Sequence, residues 1–210
     1  MDFSLNETQQ MLQKTIRELS AQKFLPFADE LDHKQQFPMD NFKIMCDMGW
    51  MGLGIPKEHG GSGGDKISTV IAIEEMSRAC ASTGCILDAH LVLGTEPIYR
   101  FGTEEQKRKY LPMLIKGEKV ASFAITEMDA GSDISRIQTT AVLDGDHYIL
   151  NGVKIFITNG DVAGTVIVFA NIPHLGKKGM TAFIVDKGTP GFRKSKKYDK
   201  LGMRAATQSR

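Results

Sequence analysis

F-A-I-T-E-M-D-A-G-S-D, residues 123–133, is the stretch of sequence that decides how this chain is divided. With the apolar residues just before it, its start predicts a β-strand that ends near Thr126, and A-G-S-D then predicts a loop. Farther along, apolar residues fall in short runs separated by turn signals, as at Asp144-Gly145 and Asn151-Gly152. We expect these runs to form an antiparallel β-barrel or sandwich, with a hairpin at Asn151-Gly152.

The chain before this stretch has the periodicity of helices. Its first apolar residues recur at helical spacing: Leu5, Leu12, Ile16 and Leu19. Thr103 with Gln106 forms a capping-box pattern that opens a later helix. The helical signal stops at Gly117. We therefore predict an all-α domain over residues 1–117 and a β domain over residues 118–210.

Composition limits the class of protein. The 210 residues carry a net charge of +1, with 41% hydrophobic and 24% charged residues, which indicates a globular protein without a nucleic-acid-binding charge excess. No apolar run is long enough for a membrane span. Three cysteines without Cys-x-x-Cys spacing and five scattered histidines predict a reducing compartment and no metal site. The polar N-terminus indicates a bacterial-type cytoplasm, or the mitochondrial matrix if a leader has been removed.

Two segments of the β half carry candidate binding residues. In the first, Thr126 and Ser132 offer hydroxyls and Gly131 permits close backbone approach, an arrangement that can cradle a flat ring or a phosphate. A surface turn with side-chain capping accounts for the same residues. In the second, L-N-G-V-K-I-F-I-T-N-G at 150–160, period 2 places Phe156 and Thr158 on one strand face. This pairing suits stacking and one hydrogen bond to a ring, and a core role for Phe156 is the alternative.

Five stretches in this order resemble the acyl-CoA dehydrogenase family. They are I-P-K-E-H-G-G-S-G-G at 55–64, F-G-T-E-E-Q-K-R-K-Y-L-P at 101–112, F-A-I-T-E-M-D-A-G-S-D at 123–133, N-G-V-K-I-F-I-T-N at 151–159 and K-L-G-M-R-A-A-T at 200–207. Many members of the family have Trp at the position of Phe156. The form with Phe resembles the short-chain, butyryl-CoA-dehydrogenase-like branch. Met128 stands where a proline is usual, which leaves the loop less constrained and removes no hydrogen-bond donor.

The resemblance implies an FAD enzyme that oxidises a short-chain acyl-CoA to the trans-2-enoyl-CoA and passes electrons to an electron-transfer flavoprotein. It implies a flavin lined on two sides by Phe123, Ala124, Ile125, Thr126, Gly131 and Ser132, and by Phe156, Ile157 and Thr158. In this reading Thr126 offers donors to the pyrimidine end of the flavin, and Thr158 bonds near the nitrogen that accepts the hydride. Ser132 contacts both the flavin and the CoA portion of the substrate.

The resemblance assigns the catalytic base to a C-terminal helical domain that these 210 residues do not contain. In the family that domain also supplies much of the oligomer interface, so a dimer or tetramer is expected only for the full-length form. We therefore expect no catalytic residue here and no activity from this chain alone. Glu74, Glu75 and Glu96 are expected to be ordinary solvated carboxylates, and His90 a core side chain. The alternatives are a non-catalytic fragment, a relative with altered chemistry such as an enoyl-CoA reductase or an oxidase, and a binding module without flavin.

Overall fold

The structure, a computed structural model, describes residues 4–209. The first half of this range is helical. Its helices are α1 (Glu7–Lys23), α2 (Ala28–Lys34), α3 (Met39–Asp47), α4 (Lys66–Ala79), α5 (Ala81–Asp88), a π-helix (Ala89–Thr95), α6 (Glu96–Phe101) and α7 (Glu104–Ile115). Among the described residues, no helix has both the length and the apolar character needed to cross a bilayer.

Side-chain caps explain where two of these helices begin. Asn6 accepts from the N–H of Gln9 at 2.9 Å while the Gln9 side chain accepts from the N–H of Asn6, which starts α1. The predicted capping box of Thr103 and Gln106 is present at the start of α7. Each box satisfies two backbone donors that a helix terminus otherwise leaves without partners.

The second half of the described chain forms β-structure. Its strands are β1 (Ala121–Ala124), β2 (Thr140–Asp144), β3 (His147–Asn151), β4 (Ile157–Thr158), β5 (Thr165–Asn171), β6 (Met180–Asp186) and β7 (Gln208–Ser209). A helical part followed by a β part confirms the expected fold class at that level. The main sheet is mixed, because β5 pairs antiparallel with β6 and parallel with β1 and β2. Over residues 4–209 it does not close into a barrel.

The predicted hairpin at Asn151-Gly152 is wrong. The tight turn lies instead at Gly145 and Asp146, where β2 and β3 pair from Thr140↔Asn151 to Asp144↔His147 and Gly145 has φ +63°. At Gly152 the backbone packs against Thr139, and a Cβ atom there would lie 2.7 Å from Thr139 Cα. The chain therefore leaves the sheet after β3, and β4 pairs with β7.

The largest of three hydrophobic clusters among the described residues joins the helical part to the sheet. Its largest buried side chains include Ile16, Met45, Met76, Leu87 and Leu114 from the helices and Phe24 directly after α1, and it continues into Ala121 and Ile167 of the sheet. His90 lies within this core, as the sequence predicts. Ala121 N–H donates to His90 Nδ1 at 2.9 Å, so Nε2 carries the proton and donates to Leu114 O at 3.0 Å. The neutral ring therefore links α7, the π-helix and β1.

This buried ring predicts a loss of stability in mild acid. Burial, opposed by the hydrogen bond to Leu114 O, lowers the pKa of His90 to about 4, against about 6.5 for a free imidazole. Between these values the unfolded chain binds a proton that the folded chain excludes. The contribution of His90 is therefore complete above pH 6.5 and falls by about 3 kcal/mol as the pH decreases to 4.

Urea unfolding of the parent chain and of His90→Gln between pH 4 and 7 measures this effect. Between pH 7 and 4, we expect the free energy of unfolding to decrease by about 3 kcal/mol less in His90→Gln than in the parent chain. His147→Gln removes an exposed imidazole and serves as the matched control. Parallel pH profiles for the parent and His90→Gln would contradict the assignment.

Candidate functional site

A cleft of about 240 Å³ lies between the π-helix, the end of β1 and the segment that leads into β4. Its walls are mainly apolar, with two threonines. They are formed by Ala89, Leu93, Phe123, Ile125, Thr126, Phe156, Ile157 and Thr158. Six of the nine residues predicted to bind a cofactor therefore line one cavity. The two β segments singled out from the sequence converge there.

Two hydrogen bonds hold the segments together. Ile155 N–H donates to Thr126 O at 2.9 Å, immediately before Phe156. On the other side, the hydroxyl of Ser122 in β1 donates to Thr158 O at 2.6 Å. The cleft is thus fixed at both ends by contacts between residues about 30 positions apart in the chain.

A buried ion pair lies beneath Thr126. Lys154 Nζ is 2.7 Å from Glu127 Oε1 and also donates to Ile125 O at 3.1 Å. The Glu127 carboxylate accepts further bonds from the backbone N–H groups of Gln138 and Thr139 and from the Thr139 hydroxyl. Both charged side chains are only 8% exposed.

The two charges of this pair stabilise each other against burial. Burial alone would raise the pKa of Glu127, but the bonds from Lys154, Thr139 and Gln138 outweigh it and hold that pKa below its ordinary value. Burial lowers the pKa of Lys154, and the nearby Glu127 opposes that change. The loop that carries Thr126 is therefore anchored by a carboxylate with several donors.

The cleft has hydrogen-bond donors that are available to a ligand. Thr158 Oγ1 accepts from Gln208 Nε2 at 3.2 Å and donates to no other described residue, so its proton is available to a ligand. Neither the N–H nor the hydroxyl of Thr126 donates to another described residue. An apolar cavity edged by such donors suits a flat ring system with acceptor atoms along its rim.

Phe156 reaches the cleft by a route that the sequence did not indicate. The predicted strand face shared by Phe156 and Thr158 is wrong, because β4 contains only Ile157 and Thr158. Phe156 has φ +57°, which turns its side chain out of any strand alternation. Its ring is 54% exposed, which excludes the alternative of a core residue.

Three predicted residues lie outside the lining of this cleft. Ala124 points to the other side of the sheet and borders a larger cavity of about 700 Å³, formed largely by β3, β5 and the 189–195 segment. Gly131 and Ser132 are exposed in the turn after Thr126. A Cβ atom at Gly131 would meet nothing within 4 Å, so packing within the described chain does not require glycine there.

The cleft walls contain no acidic or basic side chain among the described residues.

Glu74 is exposed, but the expectation of solvated carboxylates is wrong for Glu75 and Glu96. Glu75 is 1% exposed and forms two bonds with Arg17 at 2.7 and 2.8 Å, and Glu96 pairs with Lys66 and Arg100. Within residues 4–209, no group of three or more His, Cys, Asp or Glu side chains could hold a metal ion.

Several residues that shape the cleft were missed by sequence reasoning. Lys154 lies in a quoted motif, but its partner Glu127 is 27 positions away and no spacing rule connects them. Asn159 is buried with φ +62°, and its amide donates to Ile86 O and Ala121 O at 3.2 and 3.4 Å. Asn at a strand end is a recognised signal for a left-handed residue, and it could have indicated this turn.

Comparison with known proteins assigns both parts of the chain to one family. Residues 6–118 match the family profile "Acyl-CoA dehydrogenase, N-terminal domain", and residues 122–210 match "Acyl-CoA dehydrogenase, middle domain". The short-chain specific acyl-CoA dehydrogenase of Clostridium acetobutylicum is 48% identical over 99% of this chain and 55% of its own length. The acryloyl-CoA reductase (NADH) of Anaerotignum propionicum is 47% identical over 97% of this chain and 52% of its own length.

Solved structures have the same fold. A chain in the structure of the electron transferring flavoprotein of Acidaminococcus fermentans matches with TM-score 0.94 and 46% identity, over 100% of this chain and 55% of that one. An acyl-CoA dehydrogenase from Bacillus anthracis complexed with FAD matches with TM-score 0.89 and 36% identity, over 98% of this chain and 35% of that one. The chain spans about half the length of the curated relatives it matches. By its two matched domains and its shared fold, the chain belongs to the acyl-CoA dehydrogenase family.

Proposed function

We propose that this chain is the flavin-binding part of an FAD-dependent enzyme that converts a short-chain acyl-CoA to the trans-2-enoyl-CoA. The observation that carries the proposal is the convergence of two family segments, around Thr126 and Thr158, on one cleft with apolar walls and hydroxyl donors. Short-chain specificity is supported by 48% identity to a short-chain specific dehydrogenase.

The cleft residues fit the ring system of FAD. Phe123, Ile125 and Phe156 offer apolar faces, while Thr126 and Thr158 offer donors to its polar edge. We propose that Gly131 and Ser132, exposed beside Thr126, contact the flavin, and that Ser132 also contacts the CoA portion of the substrate. Ala124 and Ile157 form the layer behind the ring. When bound, FAD supplies the two-electron oxidant, and donors fixed in advance favour negative charge at that edge.

The proposal extends to partners. An electron-transfer flavoprotein as electron acceptor is supported by the 46% identical chain in the structure named for such a protein. The compartment proposed is a bacterial-type cytoplasm or, if a leader has been removed, the mitochondrial matrix, because similar proteins include enzymes of Clostridium acetobutylicum and a mitochondrial short-chain specific acyl-CoA dehydrogenase of Bos taurus, 42% identical. The proposed dimer or tetramer of the full-length form can be measured by sedimentation.

A reductase is the second candidate. The 47% identity to an acryloyl-CoA reductase nearly equals the identity to the short-chain dehydrogenase. The same cleft can hold a flavin in either direction of the reaction. Comparing the rate of acryloyl-CoA reduction with that of butyryl-CoA oxidation, in the enzyme that contains this chain, distinguishes the two functions.

Loss of either threonine hydroxyl is expected to weaken FAD binding. Thr126→Val and Thr158→Val keep the side-chain shape and remove one donor each, which should raise the FAD dissociation constant by about two- to tenfold. Titration of the purified chain with FAD, followed by flavin absorbance, measures this. Thr181→Val, a half-buried threonine on β6, is the matched control. No bound-flavin spectrum in the parent chain would refute the proposed function.

Removal of the buried charge beneath Thr126 is expected to destabilise the fold. Glu127→Gln leaves Lys154 buried without a carboxylate, which should lower the free energy of unfolding by about 3 kcal/mol. Glu30→Gln removes the carboxylate of the exposed pair with Lys34 and should leave unfolding nearly unchanged. Urea denaturation of both variants provides the comparison, and equal effects would show that Glu127 is not a structural anchor.

The 210-residue chain alone is expected to be inactive. Among residues 4–209, the cleft walls offer no acidic or basic side chain that could accept the α-proton of a thioester, although hydroxyl donors for a flavin are present. Turnover of butyryl-CoA with an artificial electron acceptor in the presence of FAD measures this. Activity well above that of free FAD would show that a base within this chain has been overlooked.

A further inference from the structure

The ring of Phe156 is held from outside the cleft by a second aromatic ring. The Tyr198 and Phe156 centroids are 5.1 Å apart, with the ring planes at 44°. Phe156 has φ +57°, a conformation that costs about 1–3 kcal/mol for a residue other than glycine. A strained backbone and a half-exposed ring require a neighbour if the ring is to keep one orientation.

Tyr198 is itself fixed to β7, the strand that pairs with β4 beside the cleft. Its N–H donates to Gln208 O at 2.9 Å, and Gln208 pairs with Thr158 through β7 and β4. The Gln208 side chain also donates to the Thr158 hydroxyl. Tyr198 therefore keeps a constant position relative to the hydroxyl at the edge of the cleft.

The segment that carries Tyr198, residues 196–206, is anchored a second time on α2 and on Gln35, the residue directly after that helix. Gln35 Nε2 donates to Asp199 Oδ1 at 2.8 Å, and the backbone N–H of Arg204 donates to Asp32 Oδ1 at 2.6 Å. The segment is therefore attached to β7 at Tyr198, and to Asp32 and Gln35 through Arg204 and Asp199. Its attachment explains how the half-buried Tyr198 can restrain a neighbouring ring.

We propose that Tyr198 is a positioning residue that holds the Phe156 ring against the flat ring system bound in the cleft. The nature of that ligand rests on the proposed flavin function, whereas the contact between the two side chains does not. Without the Tyr198 ring, Phe156 can rotate into solvent, and the ligand loses one apolar face. The hydroxyl of Tyr198 is not needed for this role, so Tyr198→Phe should retain it.

A double-mutant cycle on the flavin-free chain tests the contact by itself. Phe156→Leu, Tyr198→Leu and the double variant are compared by urea unfolding. We expect a coupling of about two- to tenfold in the unfolding equilibrium constant, the usual range for an aromatic pair. Additive effects of the two substitutions would overturn the proposal whether or not the chain binds flavin.

Flavin titration tests the consequence for the ligand. Tyr198→Leu should raise the FAD dissociation constant by about two- to tenfold and alter the visible absorbance of the bound flavin, while Tyr198→Phe should match the parent. Tyr148→Leu disrupts a comparable aromatic pair with Phe183, 5.3 Å between centroids and distant from the cleft, and should change neither quantity. Unchanged affinity and spectrum in Tyr198→Leu would overturn the positioning role. A parent chain that binds no FAD, with the coupling intact, would refute the flavin function and with it this role.

Discussion

The close approach of the π-helix to β1 is the contact on which the cleft depends. A Cβ atom at Gly94 would lie 2.4 Å from Ala121 Cβ, so glycine is needed for the two backbones to come this near. His90 spans the same contact by accepting a hydrogen bond from Ala121 N–H, and its second bond, to Leu114 O, attaches the π-helix to α7. Because Ala89 and Leu93 form one wall and Phe123 the adjoining one, any widening at Gly94 would separate the walls. The π-helix is thus both the joint between the two parts of the chain and a surface of the site.

The buried pair of Glu127 and Lys154 has a geometric role rather than a purely stabilising one. Removing two charges from water is costly, and a hydrophobic pair of similar volume is often as stable. Here the carboxylate receives bonds from Lys154, Gln138 and Thr139, which connect the loop after β1 to β2 and to the segment before Phe156. The pair therefore fixes the position of Thr126 relative to Thr158. Donors fixed in this way need little reorganisation when a ligand binds.

Local signals predicted the features that local interactions determine. The change from helical to strand periodicity lies where α7 ends and β1 begins, and the Thr103 capping box is present. The Asn151-Gly152 signal failed because a long-range contact outweighs the turn preference: Gly152 packs on Thr139. The parallel pairing of β1 with β5 was also missed, since it joins strands separated by 40 residues that form no hairpin. The family resemblance indicated six of the residues that line the cleft, whereas the contacts that support them, such as Lys154 with Glu127, join residues too far apart in the chain for a local signal.

Phe156 lines the cleft that its segment was expected to form, although its predicted place in a strand is wrong. The residue before it is bonded to Thr126 O, and Ile157 after it pairs with Ser209 in a different sheet. The chain must change direction between these two contacts, and it does so by a left-handed rotation at Phe156. Period 2 cannot predict this, because it assumes that successive residues belong to one ladder. The neighbours on both sides of Phe156 impose this backbone strain, and the strain points an aromatic ring into a cleft. Such strain is typical of binding sites, where function outweighs local conformational preference.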